Sequence, residues 1–484
     1  MSLSRADLRN MSWLLAAQAA AALTGILAFT RIGRELPIRE LGRFGFVMWS
    51  TALFGLLAEL GIRYAAMREI AVDPSRTWQV YRHGARARWL LAAGSLAVLF
   101  AAAQVGAWRA ERDLLLLGGL VAVTQFGSDP GTWVLFGRGR VDLGAVILVV
   151  DRLFYLTAIH VGAWLLPSAE GLVLAALLAN LSRLALSGAW LRSRERGPRD
   201  RTWDPVLFRR LLVGGSATGV AVIAAVAYSQ GAVVLVKAFR SPEELGYFSI
   251  AFGIVNVLLV VPMSLTMALF PTLAAGLVEG PTTRRRLADL VARLTLVTAL
   301  PLAVALLLFG DAVLALWMGA RYLPASQTLS LLAIALPLSA LSFMFRLFLF
   351  AANRFKLETI LDVAALAVLA VCGVPLAQAR GITAVAWLLV ALEAVLVLAK
   401  LLATRDWLGR PPIARTTLHC LLAVAIPTAI VVLLERWNWY ERGVLLALGI
   451  SVSFIALGVV PWPPWRLISV QSDTPQPTSK EPPP

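Results

Sequence analysis

Few residues in this chain could do chemistry, and those few stand inside long apolar stretches. Asp151 and Arg152 are adjacent within 143–166, and Arg183 lies within 170–191. Arg346 lies within 325–351, Asp362 within 357–377, and Glu393 at the centre of 382–403. Arg31 and Lys237 close the stretches 11–30 and 208–236. A charge deep in such a stretch is costly unless it is paired or hydrated. The forked guanidinium suits carboxylate and phosphate. Arg31, Arg152, Arg183, Lys237 and Arg346 are therefore candidates for holding an anionic ligand. Glu393 has no basic neighbour within a helical turn, and an unpaired carboxylate in an apolar setting can exchange a proton. Glu393, with Asp151, is the candidate for proton or ion coupling.

Each candidate has a plainer reading beside it. Counted from the short turn at 167–169, Asp151 and Arg183 fall at similar depth and can meet across a helical hairpin as a structural pair. Arg346 and Asp362 likewise share a depth. Glu59 and Arg63, four residues apart, read as a local pair on one helix face. Gln18, Gln230 and Asn256 are further polar positions in apolar runs, of the kind helix interfaces tolerate.

The elements that must position these residues are membrane helices. Apolar residues make up 59% of 484 positions and charged residues 15%, a balance far from that of a soluble domain. Stretches of about 20 apolar residues, each long enough to span ~30 Å of hydrocarbon, recur throughout. Backbone groups in lipid must be satisfied within the segment, which selects helices. The fold class expected is an all-α polytopic membrane protein with about fourteen transmembrane helices. The remaining spans are near 41–62, 89–108, 114–136, 245–277, 290–309, 414–434 and 443–461. The first, 11–30, reads as an uncleaved anchor rather than a signal peptide, because thirteen more follow.

Most Lys and Arg residues fall in segments on the side of the N-terminus, notably 63–88 and 192–210. By the positive-inside rule both termini face the cytoplasm. The net charge of +16 is then met by anionic headgroups, and nucleic acid is not a partner, because the basic residues are divided among short loops. The segment 63–88 is broken by Asp73-Pro74 and reads as basic amphipathic helix at the membrane surface. Residues 466–484, rich in Pro, Ser and Thr, read as a disordered cytoplasmic tail. His83, His160 and His419 have no metal-ligand spacing, and Cys372 and Cys420 sit in apolar runs, so neither a metal, another cofactor nor a disulfide is expected. No Gly-x-x-x-x-Gly-Lys sequence is present, which excludes that mode of ATP hydrolysis.

Two phrases recur. "ELGRFGF" at 40–46 opens one span and "ELGYFSI" at 244–250 opens the span six later. "LFGRGRVDL" at 135–143 is echoed by "LFAANRFKL" at 349–357, again six spans later. An even number of spans between equivalents gives both copies one orientation, related by a pseudo-two-fold axis along the membrane normal. The expected organisation is a six-helix lobe at 1–192, a basic linker at 193–207, a second lobe at 208–403, and two added helices within 414–461.

The stretches "LAFTRIGRELPIRELGRFGF" and "ELGIRYAAMREIA", with "ALFPTLAAGL" at 268–277, resemble the polysaccharide transporter (Wzx-type flippase) family. That family belongs to the multidrug/oligosaccharidyl-lipid/polysaccharide exporter superfamily. The resemblance implies two six-helix lobes around a central cavity. It implies export of a polyprenyl-diphosphate-linked oligosaccharide across the bacterial cytoplasmic (inner) membrane for surface polysaccharide assembly. The partners implied are that lipid-linked substrate, membrane lipids, and the glycan polymerase and glycosyltransferases of the same pathway. A diphosphate cannot cross hydrocarbon without cationic and hydrogen-bonding groups to replace its hydration. Two alternatives stand beside this non-enzymatic reading. One is a cation- or proton-coupled antiporter of the multidrug extrusion type. The other is a membrane glycan polymerase or ligase, which would predict a long external loop carrying acids or histidines; none is present.

Overall fold

The computed structural model describes residues 5–104, 106–127, 134–135, 140–194, 203–269, 281–408, 413–433 and 438–457. It is all-α, with no strand among the described residues. The first seven helices are α1 (Arg5–Glu35), α2 (Ile38–Glu59), α3 (Ile62–Val72), α4 (Thr77–Ala102), α5 (Arg112–Gly127), α6 (Val141–Leu165) and α7 (Ala169–Arg194). The next seven are α8 (Pro205–Phe239), α9 (Pro242–Ala268), α10 (Pro281–Val313), α11 (Ser326–Ala351), α12 (Phe355–Leu408), α13 (Ile413–Leu433) and α14 (Trp439–Ala456). A π-helical turn (Leu314–Met318) and a 3-10 turn (Ala320–Ala325) join α10 to α11.

Eight elements of the described chain are long and apolar enough to cross a membrane, by length and composition. The protein is a multi-pass membrane protein. Each expected span overlaps a helix, and α12 holds two of them. The chain reverses within α12 at Gly381, whose φ of 77° and ψ of −164° lie outside helical space. Gly373 on the first arm faces Leu388 on the second, which shows the hairpin. The expected tail at 466–484, most of the linker at 193–207 and the far end of the span at 245–277 lie outside the described residues.

Local sequence explains the breaks. Leu60 and Gly61 both take positive φ, 39° and 71°, and separate α2 from α3. Asp73 caps the short turn at Pro74, accepting from the Ser75 N–H at 3.0 Å, and α4 then runs from the basic segment straight into the next span. Asp204 caps α8 by accepting from the Leu207 N–H at 2.9 Å, with Pro205 in the first turn. Ser241 and Glu244 form a capping box at the start of α9.

The helix pairings repeat. α1 packs on α6, and α8 packs on the first arm of α12. α2 packs on α4 and α5, and α9 packs on α10 and α11. The second echo repeats at the level of single bonds: Arg140 N–H donates to the Leu135 carbonyl at 2.8 Å, and Arg354 N–H to the Leu349 carbonyl at 2.8 Å. The first echo lies where the halves cross. A Cβ on Gly42 would stand 2.7 Å from the Pro242 carbonyl oxygen and 2.9 Å from the Gly246 nitrogen. A Cβ on Gly246 would collide with the Ile38 carbonyl. Equivalent glycines thus meet at the crossing of α2 and α9. At the other end of α2, Gly61 packs against Gly215 and Gly219 of α8 equally closely. The added helices α13 and α14 pack on α10 around a separate apolar core with buried Cys420, Val424 and Ile450.

Candidate functional site

In the first half, α6 and α7 form a tight hairpin. A Cβ on Gly162 would lie 2.7 Å from that of Ala175, so the two helices approach closely and register their charges. Arg183 Nη1 donates to Asp151 Oδ2 at 3.2 Å, and Arg183 Nη2 donates to the Gln125 carbonyl on α5 at 2.5 Å. The two residues meet as the depth count places them. Arg152 Nε stands 4.0 Å from the same carboxylate, with its side chain 37% exposed. Arg152 shares a helix face with Tyr155, Leu156 and buried Ile159, which pack on the core, while Val150, Leu153 and Phe154 face outward. Among the described residues one carboxylate thus stands between two guanidiniums.

In the second half, the corresponding α12 hairpin, together with α11, holds a larger cluster. Arg346 Nε donates to Glu358 Oε1 at 2.7 Å, and Arg346 Nη2 reaches Asp362 Oδ2 at 3.3 Å. Lys400, on the second arm of α12, donates to Glu358 Oε1 at 2.6 Å and to Ser342 Oγ at 3.1 Å, and stands 3.8 Å from Asp362. Glu358, Asp362 and Lys400 are all 0% exposed. The sequence places Lys400 at the start of a basic cytoplasmic segment; the structure instead buries it one helical turn inside. Glu393 lies two turns further along the same arm, half-buried, facing Tyr228 and Ser339 and within electrostatic range of Arg346 and Lys400. Three carboxylates here stand against two cations.

The residues at the ends of α1 and α8 are each paired. Arg31 donates to Glu35 at 2.8 Å, one turn on. Lys237 donates to buried Glu111 at 2.8 Å and lies 5.5 Å from the Phe46 ring centroid. Glu111 also accepts from Arg43, which bonds Glu40 and Glu170 as well. Lys237 therefore joins α8 to the first half of the chain. Glu59 and Arg63 form the expected local pair, at 2.6 Å and 3.0 Å. Asn256 donates to the Phe252 carbonyl of its own helix at 2.8 Å, and Gln230 bonds Ser229 at 3.4 Å. The Gln18 side chain lies outside the described residues.

A further junction forms where the linker returns. His83 Nδ1 donates to the Gln79 carbonyl at 2.8 Å, and its Nε2 accepts from the Asp204 N–H at 3.0 Å. Arg76 Nη2 donates to the Asp204 carboxylate at 3.0 Å. The Leu207 N–H, followed by the Val206 N–H and the charge of Arg76, holds the Asp204 carboxyl below the usual carboxylate range. His83, read as one of three scattered histidines, ties α4 to the start of α8.

Sequence reasoning missed Lys400, Glu358, Glu111 and Arg43. The i, i+4 spacing of Glu358 and Asp362 was the available signal, since it puts two acids on one helix face opposite Arg346. Among the described residues no group of acids, histidines and cysteines could hold a metal ion.

The fold has solved counterparts. A lipid II flippase MurJ in an inward closed conformation is similar with a TM-score of 0.69 and 12% identity, over 90% of this chain and 97% of that one. A multidrug resistance MATE family transporter of the MOP superfamily, inward-facing, gives 0.66 at 15% identity over 82% and 96%. A MOP superfamily transporter from Pyrococcus furiosus, described as having a binding pocket of reversed polarity, gives 0.55 at 13% identity over 84% and 96%. No curated protein matches. The sequence matches the family described as polysaccharide biosynthesis protein over residues 8–276, more than half of its length, and with a fold shared by flippases and multidrug transporters the chain belongs to that family.

Proposed function

We propose that this protein is a flippase that carries a polyprenyl-diphosphate-linked oligosaccharide from the inner to the outer leaflet of a bacterial cytoplasmic membrane by alternating access. Its two six-helix halves act as lobes that rock about their crossing. The observation that carries the reading is the cation surplus where α6 meets α7: Arg183 bonds Asp151 at 3.2 Å, and Arg152, 37% exposed, shares the same carboxylate only at 4.0 Å. A diphosphate headgroup needs such a guanidinium in place of water. Family membership supports the substrate class, since its description concerns polysaccharide biosynthesis. The sugar and diphosphate pass between the lobes while the lipid tail remains in the bilayer. Small-molecule antiport is the second reading, favoured by the acid surplus around Glu393.

The test is surface-glycan export in a flippase-deficient strain, normalised to protein in the membrane. Arg152→Ala is expected to fold normally and to export about ten-fold less or worse, as loss of a charge-assisted hydrogen bond of about 1.5–3 kcal/mol implies. Normal export by a folded Arg152→Ala protein removes Arg152 from the substrate path.

A further inference from the structure

The end of α1 is tied to the turn between α10 and α11 by a reciprocal exchange of arginines. Arg34 Nε donates to the Trp317 carbonyl at 2.9 Å and Arg34 Nη2 to the Leu316 carbonyl at 2.6 Å. In return Arg321 Nη2 donates to the carbonyls of Gly33 at 2.6 Å and Arg34 at 2.7 Å. Buried Tyr322 adds a bond to the Gly33 carbonyl at 2.9 Å, and the Trp317 indole N–H donates to Thr30 Oγ1 at 2.5 Å. The bonds cross from the first half of the chain to the second, at the end of the bundle that holds the Gly42–Gly246 crossing.

Among the described residues, two features distinguish this interlock from the ion-paired links between the halves. Its acceptors are almost all backbone carbonyls, the last-turn groups that a helix leaves unsatisfied. Arg34 and Arg321 are both exposed, and among the described residues neither makes an ion pair. The Lys237–Glu111 and Arg76–Asp204 links, by contrast, are charge-neutralised. Two guanidiniums held on neutral acceptors at one junction keep their full charge for an anion. Guanidinium–phosphate bonds are shorter, stronger and often bidentate, so phosphate outcompetes a carbonyl. Of the released carbonyls, that of Gly33 keeps the Tyr322 hydroxyl, and those of Arg34, Leu316 and Trp317 lie at exposed bonds where water replaces the lost donors.

We propose that this interlock is a gate at that end of the molecule, and that a diphosphate-bearing anion opens it by drawing Arg34 and Arg321 off their carbonyls. The inference rests on the reading of the protein as a transporter of diphosphate-linked glycans, and it assigns those two arginines as the last phosphate contacts before release. Because no carboxylate takes part, the gate responds to the ligand and not to pH.

The experiment uses the full chain in nanodiscs with Cys372→Ser and Cys420→Ala. Spin labels are placed through Glu35→Cys and Leu323→Cys, both exposed and both outside the bonds of the interlock. The parent should show a short label separation. Inorganic pyrophosphate, or a polyprenyl diphosphate in the bilayer, should shift the distribution to longer separations, and chloride at equal ionic strength should not. Arg34→Ala with Arg321→Ala should show the long separation without ligand. Should that pair fail to fold, Arg321→Lys, which keeps the charge and loses the fork, is expected to need several-fold more pyrophosphate. A folded alanine pair that keeps the short separation, or a parent indifferent to both phosphate probes, overturns the proposal. A response to pyrophosphate but not to the polyprenyl diphosphate upholds the gate and removes the lipid-linked substrate from the reading above.

Discussion

The α6–α7 hairpin and the α12 hairpin are corresponding parts of a repeated unit, yet they carry opposite charge imbalance. On α6 and α7 two arginines share Asp151. On α12, with Arg346 from α11, three acids share two cations, and Glu358, Asp362 and Lys400 are sealed from solvent. The first arrangement leaves a guanidinium partly open; the second leaves the half-buried Glu393 as the odd carboxylate. The difference teaches that similar helix pairings in the two halves carry opposite local charge balance. An excess cation suits an anionic cargo, and an excess carboxylate suits a coupling proton or cation.

The comparison is most exposed to failure at Lys400. Lys400→Met leaves Glu358 and Asp362 with Arg346 alone, and should destabilise the protein by about 3–5 kcal/mol. Thermal unfolding in detergent and yield in the membrane report it, and adding Glu358→Gln should recover most of the loss. A Lys400→Met protein as stable as the parent would mean that the sealed cluster is not a structural unit.

On the first hairpin the cost should be smaller, because Arg183 keeps the Gln125 carbonyl and part of the pair is hydrated. Asp151→Ala is expected to cost about 1.5–3 kcal/mol. Exchanging the pair, Asp151→Arg with Arg183→Asp, should restore folding. Restored folding without export would place Arg183 among the groups that touch the cargo, which sharpens the contrast with the buried Glu358, Asp362 and Lys400 of α12.

Glu393→Gln should change stability by less than about 0.5 kcal/mol, as for a substitution that strands no charge. Transport driven by a pH gradient should be lost while substrate binding persists. Full transport in that variant would leave the acid surplus of the second half without a coupling role.

The smallest effect lies outside both clusters. The Asp204 carboxyl is held below its ordinary range by the Leu207 N–H, so its stabilising contribution is complete above about pH 4 and fades as pH falls through the depressed value. Asp204→Asn should flatten that acid limb of the stability profile and lower the profile above pH 6 by a constant amount, the contribution the carboxylate makes there.

Much of this architecture is legible in the residues. Apolar runs give the spans because lipid leaves the backbone no alternative, and the paired phrases give the repeat. Asp151 and Arg183 could be matched because one short turn separates their helices and depth can be counted from it. Lys400 could not: a basic residue near the end of an apolar run reads as a loop anchor, and only the fold shows two acids from the other arm waiting beside it. The partner of Lys237 was hidden for the same reason, since Glu111 comes from a distant segment. Long-range pairing depends on how helices are arranged, which periodicity does not encode.

The glycine crossing of α2 and α9 also sets a lever. From Gly42 the helix runs about 26 Å to its far end at Glu59, so a rotation of about 10° at Gly42 carries that end through about 4–5 Å. That end is where Gly61 presses on Gly215 and Gly219. Each close contact is thus the fulcrum for opening the other, and a side chain added at either would act as a wedge that fixes the direction of tilt.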